Sequence, residues 1–241
     1  MFTRNDIEKI LKNSNPINVD TAFIILQSMY HLANTNNIED NSTQQLLLRI
    51  LDRKEEFNSF SDALNGLVRH FGLYPYLDTD NITIKDAFVR ELHRPSLLTE
   101  NNSGNEGIVF HKVQSEIFQH LINGENIILS APTSFGKSTL IDSLIESQKF
   151  ENIIIIVPTI ALIDETRRRI SSLKTEHKVI THASQEKFSK NIFVLTQERA
   201  IDFPGLPIFD LFILDEFYKL DPREDSERAM TLNLAFYKLY K

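Results

Sequence analysis

The run from Asn152 to Val157 constrains the fold more than any other segment of the chain. Its sequence is Asn-Ile-Ile-Ile-Ile-Val, so a strand formed here would be apolar on both of its faces. Such strands are typical of the interior of a parallel sheet that helices cover on both sides. Apolar runs at 178–181, 192–195 and 211–214 alternate with helical patterns, as in α/β folds. We therefore predict a mostly parallel sheet, with ligands at the carboxyl ends of its strands.

Residues 1–95 show helical periodicity and no clear strand. The segment Asn18 to Asp20 can cap a first helix, and three more helical patterns follow it. A stretch that contains proline, glycine and several asparagines comes next and is the best linker candidate. We predict an all-helical N-terminal domain at 1–95, a linker at 96–107 and the α/β domain at 108–241.

Composition excludes several classes of protein. Cysteine is absent, which rules out disulfides, thiolate catalysis and cysteine-based zinc sites. The net charge is −7, so overall charge does not predict a protein that coats nucleic acid, although a local groove could still bind a strand. No apolar run approaches the roughly 18 residues of a membrane helix, and the N-terminus lacks the pattern of a secretory signal. We expect a cytoplasmic protein without membrane contact.

A phosphate-binding loop is predicted at Ala131–Ser138, between the apolar run 126–129, which fits a buried strand, and a helical pattern. The loop matches GxxxxGK[ST] except that alanine replaces the first glycine. Gly136 lets backbone N–H groups turn toward phosphates, Lys137 can reach the β- and γ-phosphates, and the Ser138 hydroxyl can bind Mg²⁺. ATP and Mg²⁺ are the predicted cofactors. The predicted nucleotide-binding residues of the loop are Thr133, Ser134, Phe135, Gly136, Lys137, Ser138 and Thr139.

An acidic pair, Asp215 and Glu216, follows the apolar run 211–214 directly. In an ATPase with this kind of loop, an aspartate at such a position holds Mg²⁺, and the adjacent glutamate polarises the attacking water as general base. A kinase gains nothing from a glutamate that activates water, whereas a hydrolase does. We therefore predict an ATP hydrolase with Glu216 and Lys137 as its catalytic residues.

Taken together, these motifs resemble those of superfamily 2 helicases, the DExH/D-box group, from about residue 108 to the end. Loops of that group commonly begin with alanine. The wording of the motifs is most similar to large bacterial helicases of the Ski-type branch, including those of anti-phage defence systems such as Hachiman. The segments that carry the resemblance, besides the loop, are VPTIAL at 157–162, TQER at 196–199 and DEFY at 215–218.

The resemblance implies a RecA-like fold for the α/β domain and further site residues. Gln114 is placed like the glutamine that reads adenine in many members of the group. The implied contacts to a nucleic-acid backbone are Pro158, Thr159, Thr196 and Arg199. Pro158-Thr159 and Thr196 could instead only cap the helices that follow them. The run Arg167–Arg169 lies on a predicted helix and is interpreted as a solvated face.

Two departures from the group limit these implications. Tyr218 stands where the group has histidine or aspartate, which leaves open how hydrolysis is coupled to movement. A second RecA-like lobe, with the arginine finger that completes the ATP site, is not encoded in these residues. We expect either a fragment or another chain that supplies the lobe. Because an arginine finger contributes orders of magnitude in rate, this chain alone should bind nucleotide weakly and hydrolyse it slowly or not at all.

The favoured function is therefore an ATP-dependent nucleic-acid helicase or translocase, acting on DNA or RNA as a single strand, of which this chain is the N-terminal part. Two alternatives stay open: an ATPase switch in protein assembly, and a non-enzymatic interaction module. Nothing in residues 1–95 suggests catalysis, and that region could dock a protein partner.

Overall fold

The computed structural model describes residues 1–35, 41–77, 82–95, 108–132, 135–223 and 225–240. The chain forms two compact units, Met1–Ile127 and Ile128–Lys241. No helix in the described ranges has the length and apolar character needed to cross a membrane.

The first unit is helical, as the periodicity of its sequence predicts. Two 3₁₀ turns, Lys54–Phe60 and Tyr74–Tyr76, connect some of its helices. The first helix was not predicted, although Thr3 and Asp6 form a capping box that marks its start. The helices are α1 (Arg4–Lys12), α2 (Val19–Thr35), α3 (Asn41–Leu51), α4 (Ser61–His70), α5 (Ile84–Leu92) and α6 (Lys112–Ile122).

A single apolar core joins the first four helices of this unit. Ile7, Ile25, Leu47 and Val68, one from each of these helices, are completely buried in it. Helix α4 ends at His70, and Gly72, two residues later, has a φ of 66° in the left-handed region. The chain can therefore turn back over the core at this point without strain.

The first unit extends beyond the predicted helical domain. The Phe110 N–H donates to the His93 carbonyl at 2.9 Å, and the Lys112 N–H donates to the Gly72 carbonyl at 3.0 Å. These bonds tie the start of α6 to the helical core, so the break between units falls after Ile127 rather than after residue 107. The linker predicted at 96–107 lies outside the described residues, and the domain limits stay a prediction.

The second unit contains a four-stranded parallel sheet in the order β2-β3-β1-β4, which confirms the predicted α/β class. The central strand β1 is the apolar run from which the prediction started, and Ile153 to Ile156 are almost completely buried. The strands are β1 (Asn152–Ile156), β2 (Lys178–Ile180), β3 (Asn191–Leu195) and β4 (Leu211–Leu214). The helices are α7 (Lys137–Glu146), α8 (Ile160–Ser171), α9 (Gln197–Asp202) and α10 (Ser226–Leu239).

The strand predicted at 126–129 is not formed. These residues have no regular structure, and the Ile128 side chain is 75% exposed. A strand needs a neighbour to satisfy its backbone hydrogen bonds. In the part of the chain that the structure describes, the sheet ends at β4, and the run finds no such neighbour.

Candidate nucleotide and nucleic-acid site

Three strands of the sheet end in one row. Ile156 of β1 is paired with Leu195 of β3 on one side and with Leu214 of β4 on the other. The ladder continues one residue further, because the Asp215 N–H donates to the Ile156 carbonyl at 3.0 Å. Neighbouring strands lie about 4.8 Å apart. The polar residues that follow β1, β3 and β4 therefore stand side by side at the carboxyl edge of the sheet.

The described part of the predicted phosphate-binding loop ends in the left-handed backbone that its glycine favours. Gly136 has φ 82° and ψ 35°, a left-handed conformation that favours glycine, and α7 begins at the next residue. The Lys137 ammonium group donates to the Ala131 carbonyl at 2.8 Å, which folds the side chain back across the loop. An ammonium group has three donors and can hold this carbonyl and an anion together. Thr133 and Ser134 lie outside the described residues.

This loop fits a phosphate group. The first backbone N–H groups of an α-helix have no partner within the helix and carry a partial positive charge. The ten-residue helix α7 begins at Lys137 and presents such groups beside the loop. Among the other predicted nucleotide residues, Ser138 is exposed, and Phe135 and Thr139 are half-buried.

The acidic pair stands on an unusual backbone. Glu216 has φ 57° and ψ 47°, the left-handed region that residues other than glycine rarely adopt. Its N–H donates to the Asp215 carboxylate at 3.0 Å, and its own carboxylate contacts the ammonium group of Lys219. Strained backbone of this kind costs about 1–3 kcal/mol and is concentrated at functional sites. Glu216 carries a carboxylate, the group that a general base needs, and its role stays a prediction.

The oxygen donors of the site suit Mg²⁺. Ser138 and Asp215 are both exposed, and a hydroxyl and a carboxylate are the hard ligands that this ion prefers. The described residues contain no group of three His, Cys, Asp or Glu side chains that could hold a metal. Mg²⁺ is usually bound by one or two carboxylates together with water and phosphate oxygens. No hydrogen bond connects Ser138 and Asp215, so their sharing of one ion stays a prediction.

Both threonines predicted to meet a nucleic-acid backbone cap helices. The Thr159 hydroxyl accepts from the Leu162 N–H at 3.3 Å at the start of α8, and the Thr196 hydroxyl accepts from the Arg199 N–H at 3.5 Å at the start of α9. Thr196 is buried. The Arg199 guanidinium donates to the backbone next to the end of β2, at the Thr181 carbonyl. Capping explains both threonines, and the nucleic-acid roles of this set stay predictions.

A cleft opens at the carboxyl edge between β1, β4 and α10. Pro158 and Asp215 line it together with Gln197, Lys219 and Arg228. Arg228 donates to the Pro158 carbonyl at 2.6 Å, so α10 is tied to the segment that follows β1. Gln197 lies in the TQER segment, and none of these last three residues was predicted to have a role in the site. Asp225, which caps α10 through the Arg228 N–H, is the signal that could have placed this helix.

Gln114 lies on α6, in the first unit. It is 6% exposed, and its side-chain oxygen accepts from the His111 N–H at 2.9 Å. This bond belongs to the cap of α6. The proposed contact of Gln114 with adenine stays a prediction.

The arginine run on α8 is not uniformly solvated. Arg167 pairs with Asp164 of the same helix at 3.7 Å, and both side chains are about half exposed. Arg169 instead donates to the Ser138 carbonyl at 3.1 Å and contacts the Asp142 carboxylate. Burial raises the pKa of Asp142, and the Arg169 charge acts in the opposite direction. The interpretation of the run as a solvated face is wrong for Arg169, because its guanidinium contacts the Asp142 carboxylate and the Ser138 carbonyl of α7.

Two protein families match this chain. Residues 111–235, slightly more than half of the chain, match the family described as DEAD/DEAH box helicase. Residues 1–87 match the Anti-bacteriophage protein B N-terminal domain. The two matches lie on either side of the predicted linker.

A curated relative matches along most of the chain. It is Anti-bacteriophage protein B of Escherichia coli (strain K12), which is 38% identical over 219 residues. The match covers 86% of this chain and 29% of the relative, so the chain spans less than a third of the relative's length. No solved structure matches the chain.

Proposed function

Because the chain belongs to the DEAD/DEAH box helicase family, we propose that it forms the nucleotide-binding part of an ATP-dependent motor that acts on nucleic acid. The observation that carries this proposal is the row at the carboxyl edge of the sheet. There the segment after β1, which contains Pro158, stands next to Asp215 after β4. Contact with the nucleic acid and hydrolysis of the nucleotide would thus take place at the same edge of the sheet.

Each part of the site has a role in this proposal. ATP, bound with Mg²⁺, would supply the phosphoanhydride bond whose hydrolysis drives movement along the nucleic acid. Lys137 and the N-terminal amides of α7 bind the phosphates, and Ser138 and Asp215 hold the ion. Glu216 orients the attacking water and accepts its proton. The contact between the carboxylate of Glu216 and the ammonium group of Lys219 must break, or leave one carboxylate oxygen available, before Glu216 can accept that proton.

The relative's name extends the proposal to defence against bacteriophage. Residues 1–87 match the N-terminal domain of that same protein, so the helical unit belongs to the defence context as well. We propose that this unit docks a protein partner, and that a second RecA-like lobe, in the same protein or another subunit, completes the ATP site.

The test is the rate of ATP hydrolysis by the natural full-length protein, measured alone and with single- and double-stranded DNA and RNA. We expect at least one nucleic acid to raise the turnover number. Hydrolysis that no nucleic acid changes would favour an ATPase switch in protein assembly. A folded protein that never hydrolyses ATP would instead be an interaction module.

Two variants test the site itself. Lys137→Ala should abolish nucleotide binding, and Glu216→Gln should spare binding while it lowers turnover by about 10²–10⁴-fold. Lys85→Ala and Glu186→Gln remove exposed residues of the same types and serve as matched controls. Unchanged nucleotide affinity in Lys137→Ala would show that the loop is misplaced.

The defence role has a separate readout. Cells that produce the wild-type protein should reduce the plating efficiency of a sensitive phage, and cells that produce Glu216→Gln at equal level should not. Equal protection by the two proteins would show that defence does not need hydrolysis.

A further inference from the structure

Arg169 connects two helices that carry different parts of the proposed site. It lies near the end of α8, and its guanidinium reaches the Ser138 carbonyl and the Asp142 carboxylate of α7. The side chains of Arg169 and Asp142 are 29% and 17% exposed, so this contact is largely shielded from water. The adjacent Arg168 is exposed. Loss of one partner from a partly buried ion pair is costly, because the other charge is then left without compensation.

The two acceptors stand on one face of α7. Ser138 and Asp142 are four residues apart, which places them one above the other on a helix. Ser138 is the second residue of α7, directly after the phosphate-binding loop. One guanidinium group therefore holds the first turn of this helix from the side. The planar group has five donors in a fixed arrangement, so it can serve both acceptors at once.

The other end of α8 lies at the carboxyl edge of the sheet. Thr159 caps the helix there, directly after the segment that follows β1. Between the two ends, Ile163, Thr166 and Ile170 are buried and anchor the helix. The ten residue-to-residue steps from Thr159 to Arg169 span about 15 Å. The helix therefore links the edge proposed to meet nucleic acid with the helix that follows the phosphate loop.

We propose that Arg169 is a positioning residue that couples nucleic-acid binding at the start of α8 to the phosphate loop at the start of α7. This inference rests on the proposed function. A nucleic-acid strand that binds at Pro158 and Thr159 shifts the preferred position of α8. Through its contact with the Ser138 carbonyl, Arg169 then shifts the start of α7. Arg169 acts through Ser138 and Asp142, which it contacts, and not on nucleotide or nucleic acid.

The test is the activation factor, the turnover number with saturating nucleic acid divided by the turnover number without it. In the full-length protein, Arg169→Ala should lower this factor by about fivefold or more, the range of typical couplings between sites. The KM for ATP without nucleic acid should stay within about twofold, because the coupling acts only when a strand is bound. Arg168→Ala, one position away and exposed, should leave both quantities unchanged.

Two further variants, a double substitution and Arg169→Lys, separate an effect on coupling from an effect on the stability of the fold. Arg169→Ala leaves the half-buried Asp142 unpaired and could unfold the domain. Combining Arg169→Met with Asp142→Leu replaces the pair by apolar groups, which often preserves stability. We expect this double variant to have the wild-type unfolding midpoint in urea and still the reduced activation factor. Arg169→Lys should recover only part of the activation, since the nitrogen of the shorter lysine side chain stops one bond short of Nη1, the atom that makes both contacts.

The outcomes distinguish this inference from the proposed function. Normal activation in a folded Arg169→Ala variant, or in the apolar double variant, would overturn the coupling role and leave the motor proposal intact. A wild-type protein that no nucleic acid stimulates would contradict both.

Discussion

The ammonium group of Lys219 contacts the carboxylate of Glu216, three residues earlier in the chain. The contact occupies the side chain that is proposed to activate water. Both side chains are about one-third exposed, so water weakens the pair but does not remove it.

Removing this ammonium group should free the general base. An ion pair between partly exposed groups contributes up to about 1 kcal/mol, which corresponds to about a fivefold change in rate. We expect Lys219→Met to raise ATP turnover without nucleic acid by up to about fivefold. Lys85→Met is the matched control. A fall in turnover would show that Lys219 serves the reaction directly.

Gly136 should tolerate no side chain. Its left-handed backbone makes Gly136→Ala cost about 1–2 kcal/mol, and relief of that strain would distort the phosphate loop. Nucleotide affinity should therefore fall. Gly66→Ala is the control, because an added Cβ would lie 3.8 Å from Arg69 in the interior of α4. That change should stabilise the protein by about 0.5–1 kcal/mol in urea unfolding and leave nucleotide affinity unchanged.

Thr196 should contribute to stability through its cap. Thr196→Ala removes the hydroxyl that accepts from the Arg199 N–H, and loss of such a cap costs about 1 kcal/mol. Thr196→Ser keeps the hydroxyl and should retain most of the stability. Urea unfolding measures both. If the two variants unfold alike yet differ in affinity for nucleic acid, the hydroxyl contacts the strand rather than the helix.

His177 should make the second unit sensitive to acid. Burial lowers its pKa and outweighs the hydrogen bond to the Phe150 carbonyl, while Lys190 lowers the pKa further and Glu176 raises it. The folded state therefore favours the neutral ring. Its contribution to stability is fully present above the unfolded-state pKa of about 6.5 and is lost as the pH falls through the depressed folded-state pKa.

The measurement compares urea unfolding at about pH 7.5 and about pH 5.5. The wild type should lose more stability between these conditions than His177→Gln, whose amide can still donate to the Phe150 carbonyl. His182→Gln, at an exposed position of the same unit, should behave as wild type. Equal losses in wild type and His177→Gln would contradict the assignment.

The apolar pattern predicts the strands of the sheet to within one residue, because runs such as Ile153–Ile156 have one stable environment, a buried interior strand. The run 126–129 has the same apolar character but does not form a strand. Periodicity does not report whether a strand finds a partner. The loop and the acidic pair can be recognised in the sequence because each needs particular residue types, and their roles in a nucleotide site stay predictions.

The contact made by Arg169 could not be predicted from the sequence. Three identical residues at consecutive helical positions point in directions about 100° apart. Only the tertiary structure decides that the third, and not its exposed neighbours, meets Asp142. The left-handed backbone of Glu216 likewise comes from the tertiary turn after β4, since its residue type disfavours that conformation.

The pairing of β1 also sets the order in which the molecule can fold. Its partners on β3 and β4 lie 39 and 58 residues further along the chain. Both strand pairings therefore form only after long loops have closed. The core of α1 to α4 lies entirely before β1 in the chain and, during synthesis, can be complete first. A ribosome that pauses before β4 would therefore carry a folded helical unit beside an unfinished sheet. The row that contains Asp215 can form only after β4 has been synthesised.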